Sequence, residues 1–284
     1  MSIINEIKQS YRQGGVLTKL IYINIAVFVV IRLLQSFIPL LEWLSVPSVP
    51  LSLLFKPWTV FTYMFVHYDF MHIIFNLLYL FWFGKIFLEF FNPRQLLGVY
   101  LLGGLSGAAL YLAAYNLIPV LYQHFPSSIL LGASASVMAI LFAVARYMPD
   151  HRIYLMFFGP VKLKYIALIA FILDLISIPT LENTGGHIAH MGGALFGFIY
   201  GSSITKGRDI TLGFNRFMDS LMSIFSRKTK MTVTHRRPIT DIEYNTKKVN
   251  TQREVDRILE KIKSSGYDSL TKDEKKTLFE ASKD

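Results

Sequence analysis

Two serines, Ser134 and Ser136, stand among small residues in the stretch Leu131-Gly132-Ala133-Ser134-Ala135-Ser136-Val137-Met138, where an apolar segment opens. A hydroxyl there is a candidate nucleophile, provided that a base lies close enough to take its proton. The same cluster also suits packing, because small side chains let membrane helices approach closely. The choice depends on the elements that carry these residues and on what else those elements bring to the same place.

The chain has 284 residues, of which 52% are hydrophobic and only 17% charged, with a mean hydropathy of +0.41. That is too apolar for an ordinary soluble domain and reads as a membrane protein. Cysteine is absent, which excludes disulfides, thiolate metal sites and a cysteine nucleophile. Met1 to Gln13 is polar, and the apolar run after it is too long for a signal h-region and lacks a small-residue cleavage site, so it is expected to stay as an anchor. A net charge of +10 raises the question of nucleic acid. The basic residues are concentrated in loops and tail, where topology and lipid account for them, and no nucleic-acid partner is expected.

Six segments are long enough to cross a hydrocarbon core about 30 Å thick: residues 17–40, 70–91, 95–116, 129–147, 162–180 and 185–205. Lys8, Arg12 and Lys19 flank the start of the first, Arg94 joins the second to the third, Arg146, Arg152, Lys162 and Lys164 join the fourth to the fifth, and Lys206 and Arg208 follow the sixth. The alternate loops, 41–66, 117–128 and 181–184, hold almost no Lys or Arg apart from Lys56. The positive-inside rule then places both termini in the cytoplasm. Spans two, four and six enter from the outer side, so His72, Ser134 and His190, each a few positions into its span, share a depth of roughly 3–8 Å. Polar groups at one level inside a membrane face a bundle interior or a watery cavity, and three of them suggest one site.

The loop 41–66 is rich in Trp43, Leu51, Leu53, Leu54, Phe55 and Trp58 and is expected to lie partly in the interface. Span three carries Gly103, Gly104, Gly107 and Ala108, a face suited to close packing at the centre of a bundle. Residues 206–230 combine an apolar helical stripe, Phe214 to Phe225, with Arg227, Lys228 and Lys230, as an interfacial helix over anionic lipid does. Residues 231–250 read as a linker. The remainder, 251–284, is expected to form a helical hairpin over 251–264 and 271–282, with Gly266 as the stop and Thr271 with Glu274 as a capping box. The partition is therefore a cytoplasmic N-terminus (1–16), a six-span domain (17–205) and these three tail segments.

Three pieces of sequence, His67-x4-His72-x3-Asn76, Gly132-x-Ser134 and His190-x2-Gly193-x3-Gly197, in this order on spans two, four and six, resemble the rhomboid family of intramembrane serine proteases. The match covers about 57–200, and the tail resembles extensions seen on some bacterial members. The resemblance implies an all-α, six-helix rhomboid-like bundle with a small cytoplasmic tail, in a bacterial cytoplasmic membrane. It makes Ser134 the nucleophile and His190 its base, without an acidic third member. It gives His72 and Asn76, stacked at i and i+4, to the oxyanion together with the Ser134 amide. Gly132, Gly193, Gly197 and Met138 would pack around the site, and the substrates would be single-span membrane proteins. No cofactor and no metal are implied.

Each rival residue has an answer. Ser136 is turned about 200° from Ser134 along a helix, so only one of them can face His190. His187 lies one turn before His190 on nearly the same face, and here the resemblance chooses: in the family small residues follow the catalytic histidine and let its helix approach the serine helix, and Gly193 and Gly197 are in register with His190. Family members commonly have glycine where this chain has Ala135, an aromatic residue where it has Met138, and in some cases arginine where it has Thr59. Arg32 and Asp174 are expected to pair, or Arg32 to snorkel, in structural roles; Asp174 as the acid of a serine triad is the lesser reading, because the family resemblance needs no acid. An inactive rhomboid-like client-binding protein is the alternative function. A transporter is disfavoured by the lack of an inverted repeat. A zinc peptidase built on His67, His72, His187 and His190 is disfavoured because His-Glu-x-x-His is missing and no carboxylate accompanies them.

Overall fold

The computed structural model describes residues 3–124, 127–155, 159–180, 183–225 and 241–281. They fall in two units, 1–226 and 227–284. The first begins with α1 (Ile3–Gln13) and α2 (Val16–Leu34), followed by the short helices α3 (Leu40–Leu44), α4 (Pro50–Phe55) and α5 (Thr59–Thr62). The long helices α6 (Phe70–Phe90) and α7 (Pro93–Leu117) come next, then α8 (Pro119–His124), α9 (Ser134–Tyr147), α10 (Leu163–Ser177), α11 (Thr184–Ile204) and α12 (Leu212–Phe225). Two small antiparallel pairs tie loops together: β1 (Val46–Pro47) with β2 (Ile129–Leu130), and β3 (Arg152–Leu155) with β4 (Gly159–Lys162). The second unit holds α13 (Asp241–Ser265) and α14 (Lys272–Ala281).

The architecture is an all-α membrane bundle whose six main helices, α2, α6, α7, α9, α10 and α11, overlap the six expected segments, although the first, expected to reach residue 40, ends at Leu34. Four of them, α2, α6, α7 and α10 with its 3-10 extension to Thr180, are long and apolar enough to cross a membrane. Two differ for physical reasons. The 21 residues of α11 include six glycines between Gly185 and Gly201, which trade hydropathy for close approach. The 14 residues of α9 span only about 21 Å at helical rise. Residues 129–133, expected as the top of span four, are instead extended: Ile129 and Leu130 pair with Pro47 and Val46, and the helix starts at Ser134.

Helix α7 is the axis. More than half of its apolar window is buried, against less than a quarter for α2 and α10. Asn92 and Gln95 close a capping box at its start, with Pro93 at the first helical position. Gly103 and Gly107 receive the methyls of Ala139 and Ala135, as the small-residue face on span three leads one to expect. Helix α11 packs still closer on α9. A methyl added to Gly193 or Gly197 would run into the carbonyl oxygens of Ala135 and Ala139, and one on Gly201 would come within 2.6 Å of the Ala143 oxygen. The ladder repeats every four residues on both helices, so backbone meets backbone along most of α9.

In the loop 41–66, Trp43 and Trp58 stack at 6.3 Å between ring centroids, and the Trp58 indole donates to the Trp43 carbonyl at 2.8 Å. Leu51, Leu54 and Phe55 are exposed, whereas Tyr63 and Met64 are fully buried. The Tyr63 hydroxyl donates to the Gly104 carbonyl at 2.5 Å, which joins the end of this loop to the axis. Arg32 does not pair with Asp174: it is exposed and lies 5.4 Å over the Tyr68 ring. Between α9 and α10, Asp150 accepts from Lys162 and Lys164 at 2.8 and 2.9 Å, and these bonds hold its carboxyl down to about 2.

Helix α12 docks on the start of α7, where Asn215 donates to the Arg94 carbonyl at 3.2 Å and Asp219 pairs with Arg94 at 3.4 Å. In the second unit the hairpin forms around Gly266, whose φ of +77° suits glycine. The Thr271–Glu274 capping box is present, and Glu274 also accepts from Lys261. The expected linker 231–250 needs correction: residues 241–250 belong to α13, and 231–240 lie outside the described residues. That part of α13 is polar on nearly every side, so it lacks the apolar period that marks a helix in sequence.

Candidate active site

The turn before α9 aims the first candidate residue. Gly132 has φ +115°, a conformation open to glycine and strained for other residues. Its amide donates to the Tyr63 carbonyl at 3.0 Å, and the next amide, of Ala133, reaches His67 Nε2 at 3.4 Å. The helix can then begin at Ser134, with the side chain at the positive end of the α9 dipole. Unlike a residue deep in a helix, Ser134 also has a backbone N–H with no acceptor inside its own helix.

His190 comes from α11. Its Nε2 lies 2.6 Å from Ser134 Oγ, and its Nδ1 lies 2.8 Å from Asp174 Oδ1 on α10. A carboxylate only accepts, so Nδ1 carries the ring proton and Nε2 presents a lone pair to the serine hydroxyl. Asp174 therefore stands in line with Ser134 and His190, at a place where the sequence led to a pair with no acid beside it. His187 makes the same bond to the same oxygen, also at 2.8 Å. The expectation that no carboxylate accompanies the histidines is corrected by the same geometry.

Ser136 faces the other way. It is fully buried, and a methyl on Gly104 of α7 would meet its hydroxyl at 2.7 Å. No other described group bonds it. Ser134 opens instead into a cavity of about 450 Å³, lined also by Tyr68, His72, Tyr115, Gly185 and His190. The His72 ring reaches so close to Gly132 that a Cβ there would lie 3.0 Å from its Cε1 and Nε2. Asn76 is buried, is absent from that lining, and donates its amide to the His72 carbonyl at 2.9 Å. Met138 is buried in the core one turn below Ser134. His67 is fully buried with its ring edge-on to His72 at 5.1 Å.

The geometry thus joins Ser134, His190 and His72 around one cavity, and it fits Gly132, Gly193 and Gly197 to the close approaches expected of them. What sequence reasoning set aside is the place of Asp174 beside His190. A signal was present: span five leaves the membrane on the side where spans two, four and six enter, so an acid three residues before its end at Ser177 stands at the depth of the other three. Gly201, the third rung of the ladder, was legible from its spacing of four after Gly197.

Comparison with known proteins adds the following. Residues 55–207 match the Rhomboid domain model, and residues 240–284 match the model described as "Family of unknown function (DUF6576)". The chain is 30% identical over 158 residues to "RHOMBOID-like protein 12, mitochondrial" of Arabidopsis thaliana, covering 53% of this chain and 47% of that protein. It is 31% identical over 145 residues to "Presenilin-associated rhomboid-like protein A, mitochondrial" of Danio rerio, covering 48% of this chain and 34% of that protein. The chain thus spans less than half the length of these relatives. Both are mitochondrial by name, where the sequence alone led to a bacterial membrane.

Proposed function

The chain belongs to the rhomboid family, and from that premise we propose that it is an intramembrane serine endopeptidase that cuts single-span membrane proteins in or near the membrane. The observation that carries this reading is the 2.6 Å contact between Ser134 Oγ and His190 Nε2 at the edge of a cavity polar enough to hold water. In this reading His190 accepts the Ser134 proton as the oxygen attacks a peptide carbonyl, and later gives it to the leaving amine. Asp174 keeps the ring in the tautomer that accepts, and it stabilises the imidazolium while it exists. The developing oxyanion meets the amides of the first turn of α9 and the His72 ring. Asn76 acts on His72 from behind, by holding its backbone.

A helical substrate hides its peptide bonds, and its backbone groups must stay paired in lipid. A transmembrane segment weakened by Gly or Pro is therefore the favoured client. Both termini lie on the side of the Lys- and Arg-rich loops, with the cavity toward the other side. Helix α12, with Phe217 and Leu221 exposed, lies in the interface.

Cleavage of a single-span substrate by purified protein tests the reading. Ser134→Ala should abolish cleavage with the melting temperature nearly unchanged, and Ser136→Ala should keep most of it. Equal loss from both, or activity in Ser134→Ala, would overturn the assignment. A wild type that binds the substrate and never cuts it would instead support the client-binding alternative.

A further inference from the structure

Asp174 Oδ1 accepts two bonds, and the proteolytic mechanism uses one of them. The second comes from His187, one turn before His190 on α11. The three atoms Asp174 Oδ1, His187 Nδ1 and His190 Nδ1 lie within 4.8 Å of one another, and each nitrogen is 2.8 Å from the oxygen. Their side chains are 10–21% exposed, so water reaches them although they are mostly desolvated. Two imidazoles and a carboxylate on two packed helices are a donor set that a borderline divalent cation accepts, with water in the fourth position.

We propose that Asp174, His187 and His190 form an inhibitory site for such a cation, Zn²⁺ being the best match. The inference rests on the reading of His190 as the base. Both Nδ1 atoms point at the position now held by the carboxylate oxygen. An ion bound about 2.0–2.1 Å from each nitrogen takes that position, and the carboxylate draws back by roughly 1 Å to become the third ligand. Each imidazole stays neutral: its single proton leaves Nδ1 and is replaced, through solvent, on Nε2, so no net proton is released. For His190 this puts an N–H toward Ser134 Oγ in place of the lone pair. The serine then has no base, although nothing in the cavity is displaced. His187 supplies the remaining point of attachment without touching the serine.

The test uses the full chain in detergent, on a tag without histidine, after chelator treatment. Titration of Ser134→Ala with ZnCl₂ by calorimetry should show one ion bound, with affinity at least tenfold weaker when His187→Ala is added. The substitution His187→Gln, which keeps an amide for Asp174 and removes the imidazole, should weaken it equally. In parallel, Zn²⁺ should block fluorophosphonate labelling of wild-type Ser134, and EDTA should restore it. His187→Ala, scaled to its own metal-free labelling, should need at least ten times more Zn²⁺. Absence of binding to Ser134→Ala, or the same affinity with and without His187, overturns the site. Wild type that is not labelled in metal-free buffer overturns the proteolytic reading instead, and the calorimetry still decides the site by itself.

Discussion

Among the residues of the site, Asp174 decides whether the proposed proteolytic machinery has two members or three. Sequence leads one to expect that an intramembrane acid pairs with Arg32, because burying a lone charge is costly. The structure satisfies the same need differently, with two histidine N–H donors on one oxygen. An asparagine there offers either its carbonyl or its amide to the ring, so the tautomer is no longer enforced. Asp174→Asn should therefore lower kcat by about 10² or more with little change in KM, as loss of orientation at a base does. Asp174→Glu should recover part of the rate. Steady-state cleavage by the three proteins measures this, and an unchanged kcat in Asp174→Asn would return the site to two members. Ser134, His190 and His72 are legible because polar residues in apolar spans are rare and share one depth. Asp174 obeys the same rule, but a plausible pairing with Arg32 masks it.

At the level of elements, length and hydropathy locate six helices, yet the shortness of α9 is hidden. Ile129, Leu130 and Leu131 are as apolar as the helix that follows, so only the glycine at φ +115° and the strand partner in a distant loop reveal that the chain is extended there. The glycine ladder is half legible, since Gly193 and Gly197 stand out, but which backbone they meet is a tertiary fact. Gly197→Val, which drives a side chain into the Ala139 carbonyl, should cost about 1–3 kcal/mol or more and be seen as a lower melting temperature. Gly213→Ala, where a Cβ meets nothing within 4 Å, is the control and should be neutral. The tail hairpin has a pH signature of its own. Bonds from Lys261, and then from the Thr271 amide, hold the Glu274 carboxyl down to about 2, below its usual range. Its contribution is thus complete above about pH 4.5 and is lost as pH falls toward 2. Hydrogen exchange in α14 of the full chain, corrected for intrinsic pH dependence, should show protection constant from pH 7 to 5 and falling below 4.5. Glu274→Gln should remove that fall, and a fall in the variant equal to that of the native chain would assign it to other groups.

For the molecule as a whole, charge sets the expected orientation, and that expectation is legible in the sequence alone. Lys and Arg gather at one set of loops and avoid the other, and the structure lines the serine cavity with residues from the sparse set, Ser128, Asn183 and Thr184. What sequence could not convey is how the short helix α9 lowers Ser134 into the bundle while the loop 41–66 folds back to hold it, because that depends on contacts more than sixty residues apart, such as Tyr63 with Gly132 and His67 with Ala133. The absence of cysteine makes orientation directly measurable, since a single introduced thiol reports without background. Tyr122, 60% exposed after α7, and Lys206, exposed after α11, are suitable positions. In sealed vesicles of one orientation, a membrane-impermeant maleimide should label Tyr122→Cys and Lys206→Cys from opposite faces, with Lys206→Cys on the face where a C-terminal tag is digested. Labelling of both from one face would mean an even number of crossings between them and would break the arrangement in which α6, α9 and α11 all enter from the side of the cavity. Reversal of both would keep the fold and put the Ser134 cavity on the opposite face, so that under the proposed function substrates would have to present their scissile segment from the side of the basic loops.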